Sequence, residues 1–348
     1  MTIQITIIGL GQIGSSVGLA LAAHTDQVMR VGIDIQASTA QKALKLGAID
    51  KVQYNLPSAV ANADIILLAL PLDQIRETLR IIAQDVKVDA VVMDTAPAKQ
   101  TVAAWAAELL PEKRHYIGLT PAFNPLYLHE QAMGIEAARA DLFSRGLIAI
   151  SGLSGISGEA LKLAADLATL LGAQPYFVDL AEADGITAAA HLLPQLNAAA
   201  LINTLTGQPG WSDIRKVTGR PFATATAQTI FQDDSAALSG ASLRNQENVV
   251  RLLDELIASL RAMRANIAGE HDKDLKDYLE AAHAAQQRWQ QERDAGDWAS
   301  VVRSGTIMPT SGILQQQLGF LGKLFEPKPR GEGSDKGDIK RGKGRLPT

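Results

Sequence analysis

The order of apolar and polar positions changes character about half way along the chain. In the first half, short apolar runs of strand length alternate with segments of helical period. Ile3 to Ile8 is apolar and β-branched, which suits a strand buried on both faces. Beyond it Ile13, Val17 and Leu21 recur at helical spacing. The alternation continues through strands predicted at 31–35, 63–70, 90–93, 116–119, 147–150 and 175–179, with helices at 39–46, 72–82 and 99–110 between the earlier ones. Such alternation predicts a parallel, doubly wound sheet over residues 1–179. From residue 180 the period is helical. GITAAAHLLPQLNAAALIN reads as one Ala- and Leu-rich helix that Pro194 must kink. Val249, Leu252, Leu253, Leu256, Leu260, Met263 and Ile267 then form a long apolar stripe, which needs a partner helix in the same subunit or another. An all-α region over 180–300 that pairs two copies into a homodimer is therefore expected. Residues 301–326 include a short amphipathic helix carrying Leu314, Leu318, Leu321 and Phe325 on one face.

Charge changes the picture only at the end of the chain. Residues 327–348 carry seven Lys/Arg against three Asp/Glu, whereas the whole chain has a net charge of −4. Rich in Gly, Pro and charge, this basic tail cannot offset its own ordering entropy and is expected to be disordered. The acidic remainder argues against nucleic acid as the main partner. With no Cys there is no disulfide, thiolate metal site or Cys nucleophile, and the six His lack the paired spacing of a metal centre. No run reads as long and uncharged enough to span a membrane, and the N-terminus does not read as a signal peptide, so a cytoplasmic location is expected.

Candidate chemistry begins where the first strand ends, in Gly9-Leu10-Gly11-Gln12-Ile13-Gly14. Between a strand and a helix, the first glycine allows a tight turn and the second a close approach of backbone to a pyrophosphate. The third lets helix and strand pack closely, and the helix N-terminus offers N–H donors to the phosphates. Asp34 lies twenty positions after Gly14 at the end of the second strand, where a carboxylate accepts a ribose 2′-hydroxyl and repels a 2′-phosphate. That is a Rossmann-type pattern favouring NAD over NADP. In such sheets ligands lie outside the carboxyl ends of the strands, so Leu70-Pro71, Asp94-Thr95 and Thr120-Pro121 point towards the cofactor crevice. Gly9, Gly11, Gln12, Ile13, Gly14, Asp34, Leu70, Pro71 and Thr95 are the expected cofactor-binding residues.

At this point the residues resemble the prephenate and arogenate dehydrogenases of tyrosine biosynthesis. GLGQIGSSVG looks like that family's Gly-rich loop, ALKLGAIDKV and ADIILLALP like the segments that follow, and VVMDTAPAKQ like its D-x-x-S-x-K turn. EADGITAAAHLLPQLNAAAL is similar to the family's H-D…S-H-L-P-H helix, and NQENVVRLLDELIASLRAMRANI to its C-terminal dimerisation helices. The resemblance covers about residues 3–295. It implies NAD(P) in the first domain, a helical domain interlocked in a homodimer, and hydride transfer from ring C4 to the nicotinamide as the ring carboxylate leaves as carbon dioxide.

The reaction side departs from that pattern. Thr120 stands where the family's G-x-H-P-M-A-G loop has its proton-accepting histidine, and Ala96 or Pro97 where the turn has Ser. Leu192 and Gln195 replace the histidines of H-L-P-H, and Ala227 replaces the carboxylate-binding Arg. A threonine hydroxyl cannot serve as a base near pH 7. His191, one position before the first helix histidine, and Lys99, at a helix start beside the crevice, are the candidate substitutes, each with a bland alternative as a packed or solvated helix residue. Asn124 can bind a substrate carbonyl or make a turn ahead of Pro125. Arg220 can bind a substrate carboxylate or sit free on the surface. The sequence thus leads to an NAD-dependent dehydrogenase of a cyclohexadienyl acid, prephenate or arogenate. A weakly active dimeric NAD(H) sensor or scaffold, or a dehydrogenase of another small carboxylic acid, stays open beside it.

Overall fold

The computed structural model describes residues 2–130, 132–229, 235–296 and 298. The predicted amphipathic helix within 301–326 and the basic tail 327–348 lie outside the described residues.

Eight strands form one sheet in the order β3-β2-β1-β4-β5-β6-β7-β8. They are β1 (Ile3–Ile8), β2 (Val28–Ile33), β3 (Lys51–Val52), β4 (Ile65–Leu68), β5 (Val91–Asp94), β6 (His115–Pro121), β7 (Leu147–Gly152) and β8 (Gln174–Phe177). The connecting helices are α1 (Gln12–Ala20), α2 (Ala37–Lys45), α3 (Leu56–Val60), α4 (Leu72–Ile82), α5 (Lys99–Leu109) and α6 (Gly158–Leu170). Strand order reverses beside β1, which pairs in parallel with β2 on one side and β4 on the other. A crevice opens at such a reversal on the carboxyl edge of the sheet.

Successive side chains on each strand enter different cores. Ile5, Ile7, Ile65 and Leu67 join Val17 and Leu21 on one face, while Ile8, Ile66 and Leu68 join Ile75 and Leu79 of α4 on the other. Burial on both faces is what the near-continuous apolar runs require.

One expectation is corrected. β7 runs antiparallel to β6, with Thr120 opposite Ala149. Among its described residues the connection between them, 122–146, has the short turns Pro125–Tyr127 and Gly134–Ala137 and no crossover α-helix, so the chain re-enters the sheet in the opposite direction. After α6 the parallel sense returns between β7 and β8.

The described residues beyond β8 are mainly helical: α7 (Leu180–Thr187), a π-helical turn (Ala188–Leu192), α8 (Leu193–Thr206), α9 (Trp211–Val217), α10 (Arg220–Thr226), α11 (Ser235–Arg244), α12 (Gln246–Ala268) and α13 (Asp272–Ala295). The π turn widens the helix directly ahead of Pro194, which removes an N–H from the ladder. By length and composition alone the helical run Leu180–Thr206 is apolar enough to cross a bilayer, contrary to the sequence reading. In the structure it packs on α5, α11 and α12 and carries the buried Asp184.

Candidate active site

The glycine loop shows which of its demands come from the protein and which do not. Gly9 has φ +93°, and a Cβ there would lie 2.3 Å from the Ala69 carbonyl oxygen. A Cβ on Gly14 would lie 2.0 Å from the Gly9 oxygen, so both are required by the strand–helix packing itself. Gly11 differs: a Cβ would meet nothing within 4 Å. No protein atom requires a glycine there, which is what a backbone kept bare for a pyrophosphate looks like. Gln12 and Ile13 open α1, and no side chain caps its first turn, leaving those N–H groups free to meet an anion.

Asp34 follows β2 and fixes the same loop. Its carboxylate accepts from Leu10 N and Gln36 N, both at 2.8 Å. Half-buried, it retains acceptor capacity at the place a ribose would occupy. Leu70, Pro71 and Thr95 are half-buried along the same edge, after β4 and β5. These residues fit a dinucleotide.

Beyond β5 the site rests on buried polar groups. Lys99 is fully buried, its ammonium donating to the Asp94 carboxylate and the Asp94 carbonyl, both at 3.0 Å. Burial pushes its pKa down, while Asp94 opposes that shift. Tyr116 donates to the other Asp94 oxygen at 2.6 Å, and burial followed by the Asp94 charge holds its phenol far above the ordinary value. Lys99 thus has no access to a substrate: a buried ammonium must spend its donors on a partner, and Asp94 and its own carbonyl take them. From α7, Asp184 accepts from the backbone N–H of Lys99 and, at 3.1 Å, from that of Gln100, capping α5. Burial still holds the Asp184 carboxyl above its usual range. Asn245, ahead of α12, donates to the Asp184 carbonyl at 2.7 Å. Sequence reasoning missed Asp184. An Asp four residues into an Ala-rich helix, where it is a poor helix former, is the signal that was available.

Thr120 ends β6 at the carboxyl edge, and its Oγ1 is buried without a hydrogen-bond partner among the described residues. An unpaired buried hydroxyl costs about 1–3 kcal/mol, a cost proteins keep where something else satisfies it. His191 lies in the π turn. Its side chain is exposed to solvent. Loss of surrounding water, and then the Lys99 charge, hold its pKa below the ordinary imidazole value. Asn124 is buried, donating to Asp141 O at 3.1 Å and accepting from Leu126 N at 3.2 Å, so its amide is committed to the turn rather than to a substrate carbonyl. Arg220 is exposed at the start of α10, with no hydrogen bond or ion pair among the described residues.

A bare glycine turn, an uncapped helix start, an acidic residue after β2 and a reversal of strand order define a dinucleotide-binding fold. Residues 17–176 match the family described as prephenate dehydrogenase, nucleotide-binding domain. The chain is 26% identical over 282 residues to prephenate dehydrogenase of Bacillus subtilis, covering 80% of this chain and 74% of that protein. It is likewise 26% identical to cyclohexadienyl dehydrogenase of Zymomonas mobilis, covering 81% of this chain and 94% of that one. Its fold is that of the prephenate dehydrogenase from A. aeolicus solved with hydroxyphenyl propionate and NAD+, with TM-score 0.72, 21% identity, and coverage of 83% of this chain and 98% of that one. The chain is thus similar to prephenate and cyclohexadienyl dehydrogenases over most of its length, and residues 17–176 match the nucleotide-binding domain of that family.

Proposed function

We propose that this protein is an NAD-dependent dehydrogenase of the prephenate type in tyrosine biosynthesis, oxidising prephenate or arogenate with loss of carbon dioxide. The observation that carries this reading is the bare backbone at Gly11, where a Cβ would meet no protein atom within 4 Å at the uncapped start of α1, as a bound dinucleotide requires; His191, exposed in the π turn, is the candidate base. NAD supplies the hydride acceptor. Gly9, Gly11 and Gly14, with the N–H groups of Gln12 and Ile13, hold its pyrophosphate, and Asp34 takes the ribose hydroxyls. Leu70, Pro71 and Thr95 line the way towards the nicotinamide. His191 accepts the proton of the ring hydroxyl as the hydride leaves ring C4, and the unpaired Thr120 hydroxyl bonds to the same oxygen. The ring carboxylate departs as carbon dioxide and the ring becomes aromatic, which drives the step. Arg220, unpaired on a helix packed against α8, is the guanidinium assigned to a substrate carboxylate.

Residues 1–179 serve the cofactor and 180–300 close the crevice and pair two copies. α12 is 23 residues long with Val249 its one buried residue among those described, and Ile257, Leu260 and Ile267 are exposed along it. A stripe of that kind supports a homodimer. A soluble biosynthetic enzyme of this kind is cytoplasmic. The test is NADH absorbance on mixing the protein with NAD and prephenate or arogenate. Reduction with one of them, and stoichiometric carbon dioxide release, is expected; reduction with neither overturns the reading.

A further inference from the structure

The segment that leaves β6 carries Thr120 and turns at Asn124, and most of its ties are local. Ala122 N donates to Leu147 O at 2.8 Å and Asn124 N to Leu142 O at 2.6 Å. The carbonyl of Phe123 is the exception. It accepts from the guanidinium of Arg293, 170 residues further along the chain in the last turn of α13.

Arg293 is set apart from its own helix. α13 has 24 residues, and Arg293 is the one among them that is buried, at 8% exposure. Its guanidinium lies 5.5 Å from the centre of the Trp298 ring, and Trp298 donates to Arg145 O at 3.2 Å. Arg145 in turn donates to the Asp294 carbonyl. Gly296 ends the helix at φ +63°, where a Cβ would come within 3.1 Å of the Arg145 Cβ. The end of α13 is therefore shaped to this one place on the nucleotide-binding sheet. Taking a guanidinium out of water is costly, and a helix that leaves its other described side chains at least partly exposed gains nothing in core packing from doing so.

We propose that Arg293 is a positioning residue: through the Phe123 carbonyl it fixes the loop that presents Thr120 at the carboxyl edge, so that the helical hairpin α12–α13 sets the order of the active-site loop. The role rests on the reading that this loop borders the reacting groups.

The experiment is amide hydrogen exchange on the full chain, resolved to peptides spanning residues 118–128, for the wild type, Arg293→Ala and Arg293→Lys, with NAD binding and kcat/KM measured on the same samples. Loss of a charged hydrogen bond to the loop should speed exchange in those peptides about tenfold or more in Arg293→Ala, while β1 and β4 peptides stay unchanged. Lys, which can still reach one carbonyl, should restore part of the protection. NAD affinity should hold within about twofold while kcat/KM falls about ten- to hundredfold, as expected for a misplaced reacting group. Unchanged exchange at 118–128 in both variants overturns the proposal, and so does acceleration spread evenly over the sheet. If Arg293→Ala does not fold, the comparison of Arg293→Lys with wild type decides by the same criteria. A wild type without turnover counts against the dehydrogenase reading alone, because the exchange result does not depend on it.

Discussion

The sheet and the helical region satisfy their side chains in opposite ways. β4 and β5 are buried at every residue, and two apolar cores enclose the sheet. In the helical region α9 has no buried residue, and α12 and α13 have one each. The difference lies in what each must be matched against. The sheet is covered on both faces by residues of its own chain. The helices present apolar faces, such as Leu260 and Ile267 or Leu279 and Trp289, that are left exposed among the described residues. The cofactor side divides from the reaction side along the same line. Backbone geometry makes the first, and individual side chains on the second can change without disturbing it.

The hardest test of this contrast is a methyl group on Gly14. With the Gly9 oxygen 2.0 Å from the new Cβ, Gly14→Ala should cost ~3–5 kcal/mol and leave little folded sheet, read by thermal unfolding. A variant as stable as wild type would show that the loop is not rigid. Next in size is His191→Ala, which should lower turnover by about 10²- to 10⁴-fold with no change in unfolding temperature. The pH profile carries the sign. Only neutral imidazole accepts a proton, and partial desolvation, then the Lys99 charge, disfavour the charged form, so the acid limb in wild type should fall below the ordinary imidazole value of about 6.5. An acid limb above that value, or one that persists in His191→Ala, assigns the base elsewhere.

The helical side is probed by Leu260→Arg, which places a charge in the exposed stripe. It should weaken self-association by about 30- to 1000-fold, seen by light scattering, while NADH binding survives. Dissociation accompanied by loss of the sheet would erase the distinction between the two regions. The smallest effect separates protein demands from ligand demands within one loop. Gly11→Ala should unfold within about 2 °C of wild type, since nothing lies within 4 Å of its Cβ, yet bind NADH about tenfold more weakly.

Much of the sheet could be read from the chain because its pattern is set by burial alone. Helix α4 occupies the predicted 72–82, where Leu72, Ile75, Leu79 and Ile82 recur on one face under the highly apolar strand before it. β2 begins three residues earlier than predicted, at Val28, because Arg30 lies buried in it, bidentate to Asp50. A charged residue inside a buried strand can be recognised only once its partner is known. The direction of β7 was illegible in its own apolar run, since alternation does not encode strand sense; the helix-free connection before it carried that information. The pattern also passes over α6 and α13, the latter because its polar, alanine-rich sequence has no continuous apolar stripe. At the site, Lys99 looks like a solvated or reactive lysine until folding brings Asp94, five residues back, against it.

The carboxylate of Asp184 gives the molecule a pivot. It ties the first turn of α5 to α7, and its own carbonyl is held by Asn245 at the root of α12. Parting the two regions here would uncap a helix and strand a charged group at once, so on this flank they move as one piece.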